Sequence, residues 1–125
     1  MMKKIISTIN APKAIGPYSQ AVEANNFVFI SGQIPLNPSN NAIPEGIEAQ
    51  TEQVISNISA ILKEAGLDFS NVVKTTCLLS DMNNFQAMNT IYAKYFPENA
   101  PARAAYGVTK LPLGVLIEIE SIAVR

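Results

Sequence analysis

NAPARAAYGVTKLPLGVLIEIESIAVR, residues 99–125, sets an arginine among small apolar residues and ends on a strand bearing two glutamates. It reads as two strands joined by Leu111-Pro112-Leu113-Gly114. Nine residues of the chain are basic, and only Arg103 and the terminal Arg125 are arginine. Lysine serves for surface charge elsewhere, so an arginine between Ala102 and Ala104 points to a task that lysine does less well. A guanidinium is a rigid planar fork that grips a carboxylate through two parallel hydrogen bonds, whereas an ammonium is a point charge. In the second strand, 115–124, Glu118 and Glu120 lie two residues apart and therefore on one face. Leu116, Ile122 and Val124 complete that face and set at least one carboxylate beside apolar surface. If the turn pairs the two strands with an odd register sum, Arg103 and the glutamates share a face. A fixed cation and two carboxylates around an apolar wall suit a small anionic substrate.

Composition narrows the class of protein around this segment. The 125 residues fit one domain, 1–125, with a real core. Apolar residues make up 48% and charged ones 15%, an apolar balance that so small a chain has to bury somewhere. Net charge is −1, histidine is absent, and no basic run exceeds Lys3-Lys4. Nucleic-acid binding needs clustered cations to neutralise phosphates, so no nucleic-acid partner is expected. The single cysteine, Cys77, forbids an internal disulfide and is compatible with a reducing compartment. Without histidine, a zinc site of the usual kind is not expected, and no other cofactor signal is present. Residues 1–6 hold two lysines and two isoleucines, but polar Ser7, Thr8 and Asn10 follow, so no signal-peptide core forms. No apolar run is long enough to span a bilayer. The expectation is a soluble, cytoplasmic protein.

In chain order, a short strand is expected around residues 3–7, followed by an ordered Pro/Gly-rich loop over 10–20. Strands at 20–24 and 27–31 bracket Asn25-Asn26, and asparagine tolerates the left-handed conformation of a tight hairpin. Gly32 is read as the end of the second strand, and 33–46 as a long connection with three prolines. Ile47, Thr51, Val54, Ile58, Ile61 and Ala65 then follow at helical spacing, with Gly66 as the stop. Residues 72–79 make a β-branched strand, and Asp81 caps a second helix over 82–95 that Pro97 ends. Its stripe of Phe85, Met88, Tyr92 and Tyr95 reads as core, as does Cys77.

The order β-β-β-α-β-α-β-β predicts an α/β (α+β) fold, with two helices on one face of a mixed sheet of about six strands. Strand–helix–strand at 27–31, 47–65 and 72–79 predicts a parallel pair. The strands carry apolar side chains on both faces, and soluble monomers avoid a large exposed apolar patch. Burial against further copies, in a closed homo-oligomer with clefts between subunits, resolves this.

Six separated motifs carry a family resemblance. IGPYSQA (15–21), ISGQI (30–34), VKTT (73–76), Asn89-x-x-Tyr92, Pro101-Ala102-Arg103 and IEIE (117–120) together resemble the reactive-intermediate deaminases, the RidA or YjgF-like family. The resemblance spans essentially the whole chain. It implies a chorismate-mutase-like fold, a homotrimer with ligand clefts between subunits, and cofactor-free hydrolysis of 2-imino acids such as 2-iminobutanoate and 2-iminopropanoate. It also implies that Arg103 binds the substrate carboxylate and that Glu118 serves the hydrolytic water. Tyr18, Ser31, Gly32 and Asn89 would line the pocket, with a backbone contact from Ala105. One departure is visible: many members have Ser-Cys after the arginine, where this chain has Ala104-Ala105.

Each position also has a plainer reading. Arg103 and Glu118 can form a structural ion pair, Tyr18 can anchor its loop, Ser31 can simply end a strand, and Asn89 can be a satisfied buried amide. At the level of the whole protein, the alternatives are a trimeric regulator that binds small carboxylates without turnover, or a ribonuclease. The absence of histidine and of a basic run weighs against the ribonuclease.

Overall fold

The computed structural model describes residues 2–125. Its strands are β1 (Lys4–Ile6), β2 (Ala21–Ala24), β3 (Phe27–Gln33), β4 (Val72–Leu79), β5 (Ala102–Gly107) and β6 (Ile117–Val124). The helices are α1 (Ile47–Glu64) and α2 (Phe85–Tyr95). Asn25 and Asn26 close the β2–β3 hairpin at φ 51° and 67°, the primed-turn geometry that matches strand twist. Gly66, at φ 76°, ends α1 in the left-handed conformation that its missing β-carbon allows.

One sheet of six strands runs β1-β2-β3-β6-β4-β5. This order corrects two expectations. Residues 99–125 do not fold back as a pair, because β4 lies between β5 and β6. Nor are the strands flanking α1 neighbours, because β6 lies between β3 and β4, antiparallel to both. The adjacent parallel pair is β4 with β5, joined through α2. A two-residue turn would have forced β5 and β6 together; the connection over 108–116 does not. Three boundaries also differ. Strand β3 continues through Gly32 to Gln33 across a bulge, and β6 starts at Ile117 after a short turn at Pro112–Gly114. Met82–Asn84 is a 3₁₀ turn capped by the Asp81 carboxylate, which accepts from the Asn83 amide at 2.9 Å, so the α-helix proper begins at Phe85.

Both helices pack on one face. Val54, Ile58, Ile61 and Leu62 from α1 and Met88 and Tyr92 from α2 meet Val28, Cys77, Leu79, Ile117 and Ile119 of the sheet. Each such aliphatic side chain contributes about 1.5–3 kcal/mol when fully buried, which is what holds an isolated-unstable helix in place. Glu52 of α1 accepts from both Lys94 and Tyr95 of α2. The opposite face has no helix, and Phe27, Phe29, Ile5 and Tyr106 remain 44–52% exposed.

Buried amides fix the long loops. Gln20 donates to the carbonyls of Thr8, Ala11 and Pro12 and accepts from the Thr8 amide. Asn57 of α1 donates to the carbonyls of Ile34 and Leu36, both at 3.0 Å. At the other end, Arg125 forks onto Glu23 and also donates to the Ala65 carbonyl, tying the α1 C-terminus to the β2–β3 hairpin. Asn57→Leu is expected to keep the fold but lose about 1–3 kcal/mol for each of the two carbonyls left without a donor. Urea unfolding should show the lowered midpoint, and an unchanged midpoint would mean that the loop finds other donors.

Candidate active site

Arg103 sits on the edge strand β5 with its side chain turned toward α2. Its Nη1 donates to Asn89 Oδ1 at 2.7 Å, and the guanidinium carbon lies 4.9 Å from the centre of the Tyr92 ring and 5.6 Å from that of Phe85. Helix spacing explains the platform: Phe85, Asn89 and Tyr92 fall at i, i+4 and i+7 and share one face. Tyr92 is held in turn by a 2.7 Å hydrogen bond with Thr75 on β4. Stacked on aromatic faces and anchored at one nitrogen, the guanidinium keeps donors free for a ligand. Among the described residues no carboxylate lies within ion-pair distance of Arg103. It opens on a cleft of about 360 Å³ bounded by Tyr92, Ala93, Phe96 and Pro101. Ala105, one step along the same face, packs toward the core beside Cys77. Burial pushes the Cys77 thiol up to about 11, partly offset by Arg103, so it remains a protonated packing group.

Glu118 stands on the other face. Arg103 pairs with Thr75 across β4–β5, and Glu118 with Leu78 across β4–β6. Thr75 and Leu78 are three residues apart on one strand, so their partners point to opposite sides of the sheet. Within a single chain Arg103 and Glu118 therefore do not share a face, and they form no ion pair. The expected grouping of Arg103 with the glutamates is corrected on this point, because β4 intervenes and sets the parity.

Gly32 and Glu118 are in close contact. A β-carbon at position 32 would lie 2.1 Å from Glu118 Oε2, so the carboxylate occupies this position only because residue 32 is glycine, and a side chain there would turn it aside. Glu118 is half-buried; desolvation pushes its carboxyl above the ordinary value, and the neighbouring Glu120 charge adds to the effect. Tyr18 lies nearby, 53% exposed, lining one cavity with Gly32. The Ser31 hydroxyl donates to the Ser19 carbonyl at 2.6 Å, and its amide donates to the Gln20 carbonyl, so Ser31 pins the 10–20 loop to β3.

The candidate residues thus fall into two sets, Arg103 with Asn89 and Ala105 on the helix side, and Glu118 with Gly32, Tyr18 and Ser31 on the far side. The sequence reading treated Tyr92 and Phe85 as core alone, yet both also seat the guanidinium. Their spacing from Asn89 was the available signal. Among the described residues no group of three or more His, Cys, Asp or Glu side chains is placed to hold a metal ion, and no helix is long and apolar enough to cross a membrane.

The α+β fold is thus a half-covered six-stranded sheet that carries, among the described residues, a cation without an ion-pair partner on one side and a half-buried carboxylate on the other. The family profile described as Endoribonuclease L-PSP matches residues 8–125. The chain is 52% identical to the 2-iminobutanoate/2-iminopropanoate deaminase of Mus musculus, over 100% of this chain and 93% of that one. It is 57% identical to the putative regulator AldR of Lactococcus lactis, over 96% of each. A solved structure from Yersinia pestis, of a Rid-family protein of unknown function, superposes with TM-score 0.95 at 47% identity, covering 99% of this chain and 100% of that one. This chain belongs to the RidA/YjgF family.

The raised pKa of Glu118 has a consequence for stability. Its charged form is penalised in the folded state, so the native protein loses stability as pH rises above the ordinary carboxyl value of 4.5 and through the folded pKa. Glu118→Gln should therefore melt higher than the unsubstituted protein at pH 7, with the gap closing as pH falls to about 4.5 and below. Parallel thermal melts across this range check it; a variant less stable at pH 7 would mean that the carboxylate has a partner in solution.

Proposed function

We propose that this protein is a cofactor-independent hydrolase that converts 2-imino acids, 2-iminobutanoate and 2-iminopropanoate among them, to 2-oxo acids and ammonia. The observation that carries the reading is the guanidinium of Arg103, stacked on Tyr92, steadied by Asn89 and free of any carboxylate among the described residues. Such a fork suits a small carboxylate, each charge-assisted bond contributing about 1.5–3 kcal/mol. The deaminase name of the 52% identical mouse relative supports the substrate class.

The chemistry needs little beyond position and one proton carrier. A protonated imine is already electrophilic at carbon. Glu118 as carboxylate takes a proton from water while the water oxygen bonds to that carbon, and it returns the proton to nitrogen. The hydroxyl of the resulting carbinolamine then gives its proton to the Glu118 carboxylate as the carbon–nitrogen bond breaks, leaving a 2-oxo acid and ammonia, and Glu118 passes that proton to the departing ammonia. Burial beside Gly32 brings the Glu118 pKa upward, toward the range where a group both accepts and donates. Aiming the water at the held carbon supplies the remaining gain.

Arg103 and Glu118 face opposite ways on one sheet, so a complete site takes Arg103 from one subunit and Glu118 from the next. The uncovered sheet face with Phe27, Phe29 and Tyr106 offers the apolar surface for such an assembly. A closed homotrimer fits this reading, with a mass near three times 13.5 kDa. A second reading, a carboxylate-binding regulator without turnover, is favoured by the name of the 57% identical Lactococcus relative.

Coupling the protein to a threonine dehydratase and following 2-oxobutanoate release separates the two. Acceleration over the uncatalysed rate is expected; a folded assembly that binds 2-oxo acids but accelerates nothing is a regulator. Arg103→Lys should lower kcat/KM at least about tenfold, roughly 1.4 kcal/mol, because the charge stays and the fork is lost. The assay run beside thermal melts reads this directly, and full activity in the lysine variant would remove Arg103 from the site. Mixed assemblies test the division between subunits. Arg103→Ala and Glu118→Gln proteins, each inactive alone, should regain activity at about a quarter of their interfaces after co-refolding in equal amounts, as random assortment in a closed ring dictates. No recovery in verified mixed assemblies would place both groups in one subunit's site.

A further inference from the structure

Beside Gly32 lies a cavity of about 310 Å³ between the 12–18 loop, the end of β3 and the Pro112–Gly114 turn. That volume is at the lower end of what small-molecule sites span, about 300–1,000 Å³. Ile34 and Leu36 line it, and Ile15, Tyr18 and Leu113 stand over it 81%, 53% and 70% exposed. Its polar neighbours are engaged elsewhere. The Gln20 amide bonds the loop backbone, and the Gln33 amide donates to the Ser31 carbonyl. Lys13 contributes the one charge.

Leu113 is the least expected of these residues. Its backbone is left-handed, φ 58° and ψ 17°, a conformation disfavoured by a β-carbon and taken freely by the glycine that follows it. An exposed leucine on strained backbone gains nothing from the core, and such strain collects where a side chain is needed in place.

We infer that this chamber receives the aliphatic side chain of the substrate, with Leu113 and Ile15 as specificity residues, and that the protein favours 2-imino acids with isobutyl-sized side chains over the methyl-bearing 2-iminopropanoate. The inference rests on the proposed deaminase reading and names its substrate class. Gly32 supplies the continuity, since it lines the chamber and is in close contact with the Glu118 carboxylate. One methylene in an apolar pocket changes selectivity about 10–200-fold, so a rim residue has measurable leverage.

The test generates imines from leucine, 2-aminobutyrate and alanine with an amino-acid oxidase and catalase, and measures kcat/KM for each. Calorimetric titration with 4-methyl-2-oxopentanoate and pyruvate reads the same preference without turnover. The unsubstituted protein should rank the imines in falling order of side-chain size. Leu113→Ser and Ile15→Ser should each cut the leucine-to-alanine ratio at least about fivefold, below the full effect of a methylene in an enclosed pocket. Leu113→Gly, which suits the left-handed backbone, should cut the ratio while melting no lower. Turnover that is intact but indifferent to side-chain size, or ratios unchanged in all three variants, overturns the chamber and leaves the deaminase reading standing. Binding that ranks by size without turnover of any imine sinks the deaminase reading and keeps the chamber. If the variants instead lose their oligomeric mass in sedimentation, the rim is a subunit contact and the inference fails.

Discussion

Thr75 stands between Arg103 and Ser121, and three residues further along β4, Leu78 stands between Tyr106 and Glu118. The pleat turns these rows to opposite faces, and no local adjustment short of a register slip reverses that. A slip by one residue would carry Thr75 and Cys77 out of the core and Lys74 and Thr76 into it, so the apolar face fixes the parity. The cation is therefore committed to the helix side and the carboxylate to the open side. Within one copy of the sheet the two groups do not meet around one ligand.

The two sides are built by different means. On the helix side, Arg103 is held by regular elements: α2 supplies Asn89 and the aromatic faces, and β4 steadies Tyr92 through Thr75. On the open side, Tyr18 and Leu113 belong to irregular segments, and the order there comes from buried amides. Gln20, Asn57 and Gln50 each satisfy backbone groups that no helix or strand serves, Gln50 reaching the Leu116 amide and the Pro44 carbonyl. Inside a protein such bonds are worth most when complete, since an orphaned partner costs more than a made bond returns. Gln20, Asn57 and Gln50 are thus structural, while the pairing of β3 with β6 sets Gly32 beside Glu118.

Arg125 illustrates a different use of the same side chain. Its fork closes on Glu23 and on the Ala65 carbonyl at the end of α1, whereas Arg103 keeps donors free. One arginine is spent on the fold and the other keeps donors free, and only their surroundings separate them.

The sequence by itself determined the elements and most of their ends. Helical spacing from Ile47 to Ala65 located α1, Asn25-Asn26 located the hairpin, and Val72–Leu79 was legible from β-branching, because each depends on neighbours a few residues away. The ordered motifs also singled out Arg103, Asn89, Gly32 and Glu118. Tertiary structure alone decided that β6 inserts between β3 and β4, that Arg103 and Glu118 part to opposite faces, and that Tyr92 serves the core and the guanidinium together. Strand neighbours are chosen by burial summed over the whole sheet, and a connection as long as 108–116 leaves that choice open. Local pattern fixes which way a side chain alternates along its own strand; only pairing with β4 sets that alternation against another strand's.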